Sequence, residues 1–284
     1  MSVWKTVRRL MIAPLAIAVS GCVAIERAYL PTPAIKTPVF TSFSVEGAAP
    51  DHGAWDAFLE RYRKVDAEGV ARVDYGAVTD ADRTALTAYL ARLQAADPAR
   101  MTRDQALAFW LNLYNAKTVD VVLSAYPVAS IRDIGAPLIG PWDQKNTVVS
   151  GVPLSLNDIE HRVIRPIFNE PRIHYALNCA AYTCPNLAAT AWRADGLQPR
   201  LAEAERAYVN DPRGLSVDAT GRVSASKIYA WFREDFGEDE AEIVSQLADI
   251  AEPSLADALR RRGRVDAYVY DWALNDWALV DDAN

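Results

Sequence analysis

The sequence predicts an α+β fold: a single, mostly helical domain with a small antiparallel sheet, occupying residues 51–284. Three observations carry this. Apolar residues recur at the three-and-four spacing of one helix face in several separate stretches after residue 50. Short β-branched runs broken by turn residues lie between those stretches. No shift in composition marks a linker, so one domain is expected. With 284 residues, 51% of them apolar, the chain can also bury a substantial core.

Ahead of the domain, Lys5, Arg8 and Arg9 precede the apolar run Leu10 to Val19, and Val19-Ser20-Gly21-Cys22 follows. That is the charged, apolar, small-residue order of an export signal, here residues 1–21. The run is too short to span a bilayer, which takes roughly twenty residues. "VSGC" resembles the lipobox of bacterial lipoproteins, which implies that Cys22 becomes the first residue and carries a lipid. The membrane is then a partner through that lipid, and an ordinary signal peptide with no role for Cys22 is the alternative. The residue after Val23 is Ala24 rather than Asp, which by resemblance to lipoprotein sorting in Gram-negative bacteria implies the outer membrane, facing the periplasm. Residues 22–50 hold four prolines without sustained helical periodicity and read as an extended tether.

Trp55, Phe58, Leu59, Tyr62 and Val65 then define a first helix, with "ARVDYGAV" as a strand or turn after it. A second helix runs from about Asp80 to Ala95, with Leu86, Tyr89, Leu90 and Leu93 on its apolar side. Thr102 with Gln105 forms a capping box ahead of "ALAFWLNLYNAKTVDVVLSAY", which is apolar nearly all round and therefore central. Its Asn112 and Asn115 need buried partners, either neighbouring backbone or a functional group. "NTVVSGVPL" reads as strand, tight turn and strand. Ser155 and Asp158 cap "LNDIEHRVIR", a helix that Pro166 is expected to end or kink. "RIHYALNC" is open between a buried strand and a buried helical turn. A helix near Leu201 to Val209, a hairpin turning at Asp218 to Gly221, and a helix from Ser226 come next. Helices at Glu240 to Ala251 and Ser254 to Arg261 lead into a terminal strand, "RVDAYVYDW".

A net charge of -7 with scattered Lys and Arg offers no field for a nucleic acid. No Walker or Rossmann glycine pattern supports a nucleotide, and no cofactor is expected. Nor is there a Gly-x-Ser-x-Gly elbow. Chemistry concentrates instead in "HYALNCAAYTCPNL", residues 174–187. One reading makes Cys179 a nucleophile, with His161 or His174 as base and Glu160 or Asn178 as orienter. In a strand His174 and Cys179 would face opposite ways, whereas a helix beginning at Cys179 would favour His161. A second reading pairs Cys179 with Cys184, the even pair left once Cys22 is lipidated. A third, a zinc site drawn from His161, His174, Cys179, Cys184 and Glu160, lacks standard ligand spacing, and no metal is expected.

"FWLNLYNA", "LSLNDIEHRVIR", "RIHYALNCAAYTCPNL", "ASKIYAWFREDFG" and "VYDWALND", in that order, resemble the family known as domain of unknown function 547 over roughly residues 70–280. The family has no settled activity. The resemblance implies that the blocks around Glu160-His161 and Asn178-Cys179 are shared, and that plant members often lack a cysteine at the position of Cys184. This weighs against an obligatory disulfide and towards a free Cys179 thiol. By analogy, a papain-like or transglutaminase-like fold uses such a set, although here both histidines precede the cysteine. The expectation is a lipid-anchored cell-envelope protein acting as a cysteine-dependent hydrolase or acyltransferase on an amide or ester of an unknown envelope substrate. The alternative is a non-catalytic envelope binding protein that recognises a ligand through its aromatic-rich surface, with a Cys179-Cys184 staple.

Overall fold

The computed structural model describes residues 23–135 and 140–281; the export signal and Cys22 lie outside the described residues. The fold is organised around α4 (Arg103–Ala125), whose capping box forms as the sequence requires. Gln105 N–H donates to Thr102 Oγ1 at 3.3 Å, and Gln105 Oε1 accepts from Thr102 N–H at 3.0 Å. Because α4 is apolar on all sides, it is buried on all sides, with Phe109, Trp110, Leu111 and Leu113 fully enclosed. α2 (Gly53–Tyr62) packs on α3 (Asp80–Ala95), and α3 packs on α4.

Among the described residues the strands are short and form three small sheets. β1 (Arg63–Val65) pairs antiparallel with β2 (Ala71–Val73), and β3 (Thr147–Val149) with β4 (Val152–Leu154). The β3–β4 turn places both Ser150 and Gly151 at positive φ, the geometry of a tight hairpin. β5 (Leu215–Val217) and β6 (Val223–Ser226) form the expected hairpin. α7 (Leu197–Val209) precedes it, and α8 (Ile228–Trp231), α9 (Arg233–Phe236), α10 (Glu240–Ile250) and α11 (Pro253–Arg262) follow it. β7 (Ala267–Val269) then returns parallel to β6, because the helices between them act as a crossover. The last described helix is α12 (Ala278–Asp281). The α+β class holds, with this one parallel pair beside the antiparallel ones.

One expectation is corrected. The segment read as an extended tether begins with α1 (Val23–Tyr29), which is docked on the domain. Lys227 Nζ and Trp231 Nε1 donate to Glu26 at 2.7 and 3.0 Å, Arg27 pairs with Glu234 at 2.6 Å, and Ala34 N–H donates to the His161 carbonyl at 3.1 Å. These contacts hold a helix too short to persist alone. Pro166, expected to end or kink its helix, sits where the regular ladder is lost, and the helix stops at Phe168. α5 (Leu156–Asp158) passes into a π-helical segment, Ile159–Ile164, and then into α6 (Arg165–Phe168). Pro166 has no N–H to give the carbonyl four residues back, and the turn before it widens so that Arg165 N–H reaches the Glu160 carbonyl. The helix ends at Asn169, in left-handed conformation.

The core has two parts. One surrounds α4; the other joins β5 and β6 to α8, α10 and α11. The segment from Ile173 to Tyr175 straddles them, with Ile173 in the first and Tyr175 in the second, and Trp272 packs against both. The candidate site lies along this seam.

Candidate functional site

The π-helical segment carries Glu160 and His161, and such turns recur at functional positions. One turn on, the Arg165 guanidinium is buried and fully engaged. It donates to Asp235 at 2.6 and 3.0 Å, to Glu234 at 2.9 Å and to His161 Nδ1 at 3.1 Å. A guanidinium only donates, so His161 Nδ1 accepts and the ring proton of the neutral imidazole sits on Nε2. Burial, with Arg165 adding to it, pushes the His161 pKa down to about 4. Arg165 is therefore the centre of a buried charge network reaching α9.

His174 lies between two carboxylates. Its Nε2 is 2.6 Å from Asp235 Oδ2, its Nδ1 is 3.8 Å from Glu160 Oε1, and its ring stacks on Phe232 at 4.3 Å. Burial alone would raise the Asp235 pKa, but the bonds from His174 and Arg165 outweigh it and hold the carboxyl well below the usual range. Asp235 opens on a cavity of about 460 Å³ whose rim includes Arg27, Arg233 and Glu242. On the other side of Glu160 lies the buried Tyr114 phenol, whose pKa is pushed well up by burial and by the charge of that carboxylate.

"RIHYALNC" is neither strand nor regular helix: a 3-10 turn, Pro171–Tyr175, gives way to irregular backbone. Asn115 fixes it from α4, accepting from Asn178 N–H at 2.9 Å and donating to the Ala176 carbonyl at 2.9 Å. Asn112 does the same for a later loop, bonding both the N–H and the carbonyl of Trp192 at 2.9 and 2.8 Å. The two amides thus pin backbone to the central helix. Asn178 is itself a hub. It accepts from Ala180 N–H at 2.9 Å and from Asn275 Nδ2 at 3.3 Å, and it donates to the Pro185 carbonyl at 2.8 Å. Between these bonds Ala180 takes a left-handed conformation, φ 62°.

No helix begins at Cys179. Its sulfur is bonded to that of Cys184, with the two Cα atoms 6.3 Å apart. Cys179 is partly exposed and Cys184 is 2% exposed. Tyr270 places its hydroxyl 3.1 Å from each sulfur, and Cys179 N–H points at Cys184 Sγ from 3.0 Å. Tyr270 belongs to a row of touching rings. Trp231 to Tyr270 is 4.7 Å, Tyr270 to Trp272 is 4.7 Å, and Trp272 to Trp142 is 5.5 Å between centroids. Trp142, Tyr270 and Trp272 are partly exposed.

The structure therefore brings Glu160, His161 and His174 together, and places Asn178, Cys179 and Cys184 in an adjacent loop. Among the described residues, no hydrogen bond joins either imidazole to Cys179; the rings are held by Arg165 and Asp235. Sequence reasoning missed Asp235, Tyr114 and Tyr270 as members of the site, although "FREDFG" and "VYDW" were in view. Among the described residues, no group of three or more His, Cys, Asp or Glu side chains could hold a metal ion. Nor is any described helix long and apolar enough to cross a membrane.

No curated protein and no solved structure matches the chain. Residues 98–209, which contain α4, the π-helical segment, both site histidines and the disulfide loop, match the family model described as "Protein of unknown function, DUF547", and this part of the chain is similar to that family.

Proposed function

We propose that the chain is a cell-envelope protein, held by a lipid on Cys22 at the outer membrane and facing the periplasm, that binds a ligand or partner rather than cleaving an amide or ester. The observation that carries the non-hydrolytic part is the state of Cys179. Its sulfur is bonded to Cys184 and touched by Tyr270, while both imidazoles are committed to the Arg165 and Asp235 network. A nucleophilic thiol needs a free sulfur and a base within hydrogen-bond reach. The row formed by Trp142, Trp272 and Tyr270, with Glu160 buried behind it, supports recognition of a ligand that stacks on rings and offers hydrogen-bond donors. Anchoring is supported by "VSGC" and by α1. Docked on the domain directly after Cys22, that helix would hold this face close to the bilayer surface.

Single replacements of the two cysteines test this reading. Closing so small a loop is worth about 2 kcal/mol in the chain-entropy account. Cys179→Ala and Cys184→Ala are expected to lower the unfolding free energy of the exported protein by similar amounts of about 2 kcal/mol, read by urea denaturation. An esterase or amidase activity lost in Cys179→Ala but kept in Cys184→Ala would sink the binding reading.

A further inference from the structure

We infer that the Cys179–Cys184 bond is an exchangeable disulfide, opened by an external dithiol that attacks Cys179 Sγ and expels Cys184 as a thiolate. The inference goes beyond the binding reading and rests on it only for the oxidising compartment in which the bond would form.

Three features converge on this direction of attack. The first is access: Cys179 is partly exposed, whereas Cys184 is enclosed, so an incoming thiolate meets Cys179. The second is stabilisation of the leaving group. Neither sulfur of a disulfide carries a proton, so at 3.1 Å the Tyr270 hydroxyl is the donor. The Cys179 N–H is the second donor, 3.0 Å from Cys184 Sγ. The hydroxyl is equally close to Cys179 Sγ, at 3.1 Å, and can turn to whichever sulfur takes the charge, so the N–H is the donor that favours Cys184 as the leaving group; together they lower the energy of charge developing there. Burial, with Glu160 and Tyr208 nearby, raises the Tyr270 pKa far above neutrality, so the hydroxyl keeps its proton and remains a donor.

The third is that the loop is held without the covalent bond. Arg213 donates to the carbonyls of Tyr182 and Cys184 at 2.9 and 3.3 Å, and Tyr208 donates to that of Thr183 at 2.6 Å. Asp271 N–H donates to Thr183 Oγ1 at 2.8 Å, Tyr182 N–H to the Ala273 carbonyl at 2.7 Å, and Asn178 to the Pro185 carbonyl at 2.8 Å. A loop clamped this way keeps its shape when the bond opens, and can close it again.

One thiolate of the dithiol bonds to Cys179 Sγ, and the pair from the broken S–S bond goes to Cys184. The second thiolate of the dithiol then attacks its partner sulfur in the mixed disulfide, releasing Cys179 as a thiolate. The dithiol leaves oxidised to a disulfide, and the two protons it gave up complete the two cysteine thiols.

The test uses the full processed chain in detergent, with dithiothreitol as the dithiol and an alkylating quench. The wild-type bond is expected to open completely with the near-ultraviolet circular dichroism retained. Tyr270→Phe, which keeps the ring but removes the donor, is expected to slow opening about tenfold, the rate equivalent of one lost hydrogen bond to a charged group. Glutathione, a monothiol, is expected to be caught as a mixed disulfide on Cys179 when the quench alkylates Cys184 before it can re-close the bond, which mass mapping of the wild type reads without any variant. A bond that opens only in denaturant, an unchanged rate in Tyr270→Phe, or a glutathione adduct on Cys184 would each overturn the inference. A chain found unlipidated and outside the envelope would end the anchoring proposal instead, while exchange measured on the purified chain still decides this one.

Discussion

Replacing Arg165 with Ala is expected to lower the unfolding free energy by about 3 kcal/mol, the lower end of the range for removing one partner of a buried ion pair. The lower end applies because the Asp235 carboxylate keeps some contact with solvent. The guanidinium lies over the Phe232 ring at 4.9 Å and offers donors at once to Asp235, Glu234 and His161. Without it, Asp235 depends on His174 alone, and His161 loses the donor that fixes its tautomer. Arg165→Lys is expected to recover less than half of the loss, since an ammonium cannot reproduce the planar fork that meets three groups. Urea denaturation of the three proteins checks both statements, and a loss below about 1 kcal/mol for Arg165→Ala would show that the network is dispensable.

The second large effect is acid destabilisation. His52 and His161 are both buried and both have pKa values pushed down to about 4, in each case mainly by desolvation. His52 is held by the Tyr89 hydroxyl at 2.7 Å, with the Arg193 charge nearby. Between the ordinary histidine value near 6.5 and about 4, the unfolded chain binds protons that the folded chain refuses. Stability is therefore full above that window and falls as pH drops through it, by about 3 kcal/mol for each histidine. Asp235, whose folded pKa is depressed, acts in the same direction at lower pH, because the bonds that favour its carboxylate are lost on protonation. Urea unfolding at about pH 7 and about pH 4.5 is expected to show a drop of several kcal/mol, and His52→Gln to remove roughly half of it. Equal stability at the two pH values would mean that these imidazoles are protonated in the folded protein.

The parts of the fold that could be read from sequence are those set locally. The α4 capping box, the Ser150-Gly151 turn and the β5–β6 hairpin depend on residues within a few positions of one another. α1 was not legible, because its partners Lys227, Trp231 and Glu234 are about two hundred residues away in sequence. Pro166 was legible as a disturbance of its helix, whereas the form the disturbance takes, a widened turn that absorbs the missing donor, was not. The site divides in the same way. Cys179 and Cys184, five residues apart, were visible as a pair, and Glu160, His161, His174 and Asn178 as polar groups needing partners. Asp235 and Tyr270 were not, since each meets its histidine or cysteine only through tertiary packing along the seam between the two core clusters. The fold-level analogy to cysteine hydrolases rested on residue types and proximity in sequence, which suggest a thiol with a base; the partners of the two imidazoles, Arg165 and Asp235, come from tertiary packing.

The measurement that bears most directly on this account is the oxidation state of the Cys179–Cys184 peptide in the full chain exported to an oxidising periplasm. The protein is alkylated without reductant, digested and weighed. The structure predicts a peptide two hydrogens lighter than the dithiol form, unlabelled until a reductant is added. Rapid labelling of Cys179 in the unreduced, folded protein would contradict it and return the residue to the role of a free, activated thiol.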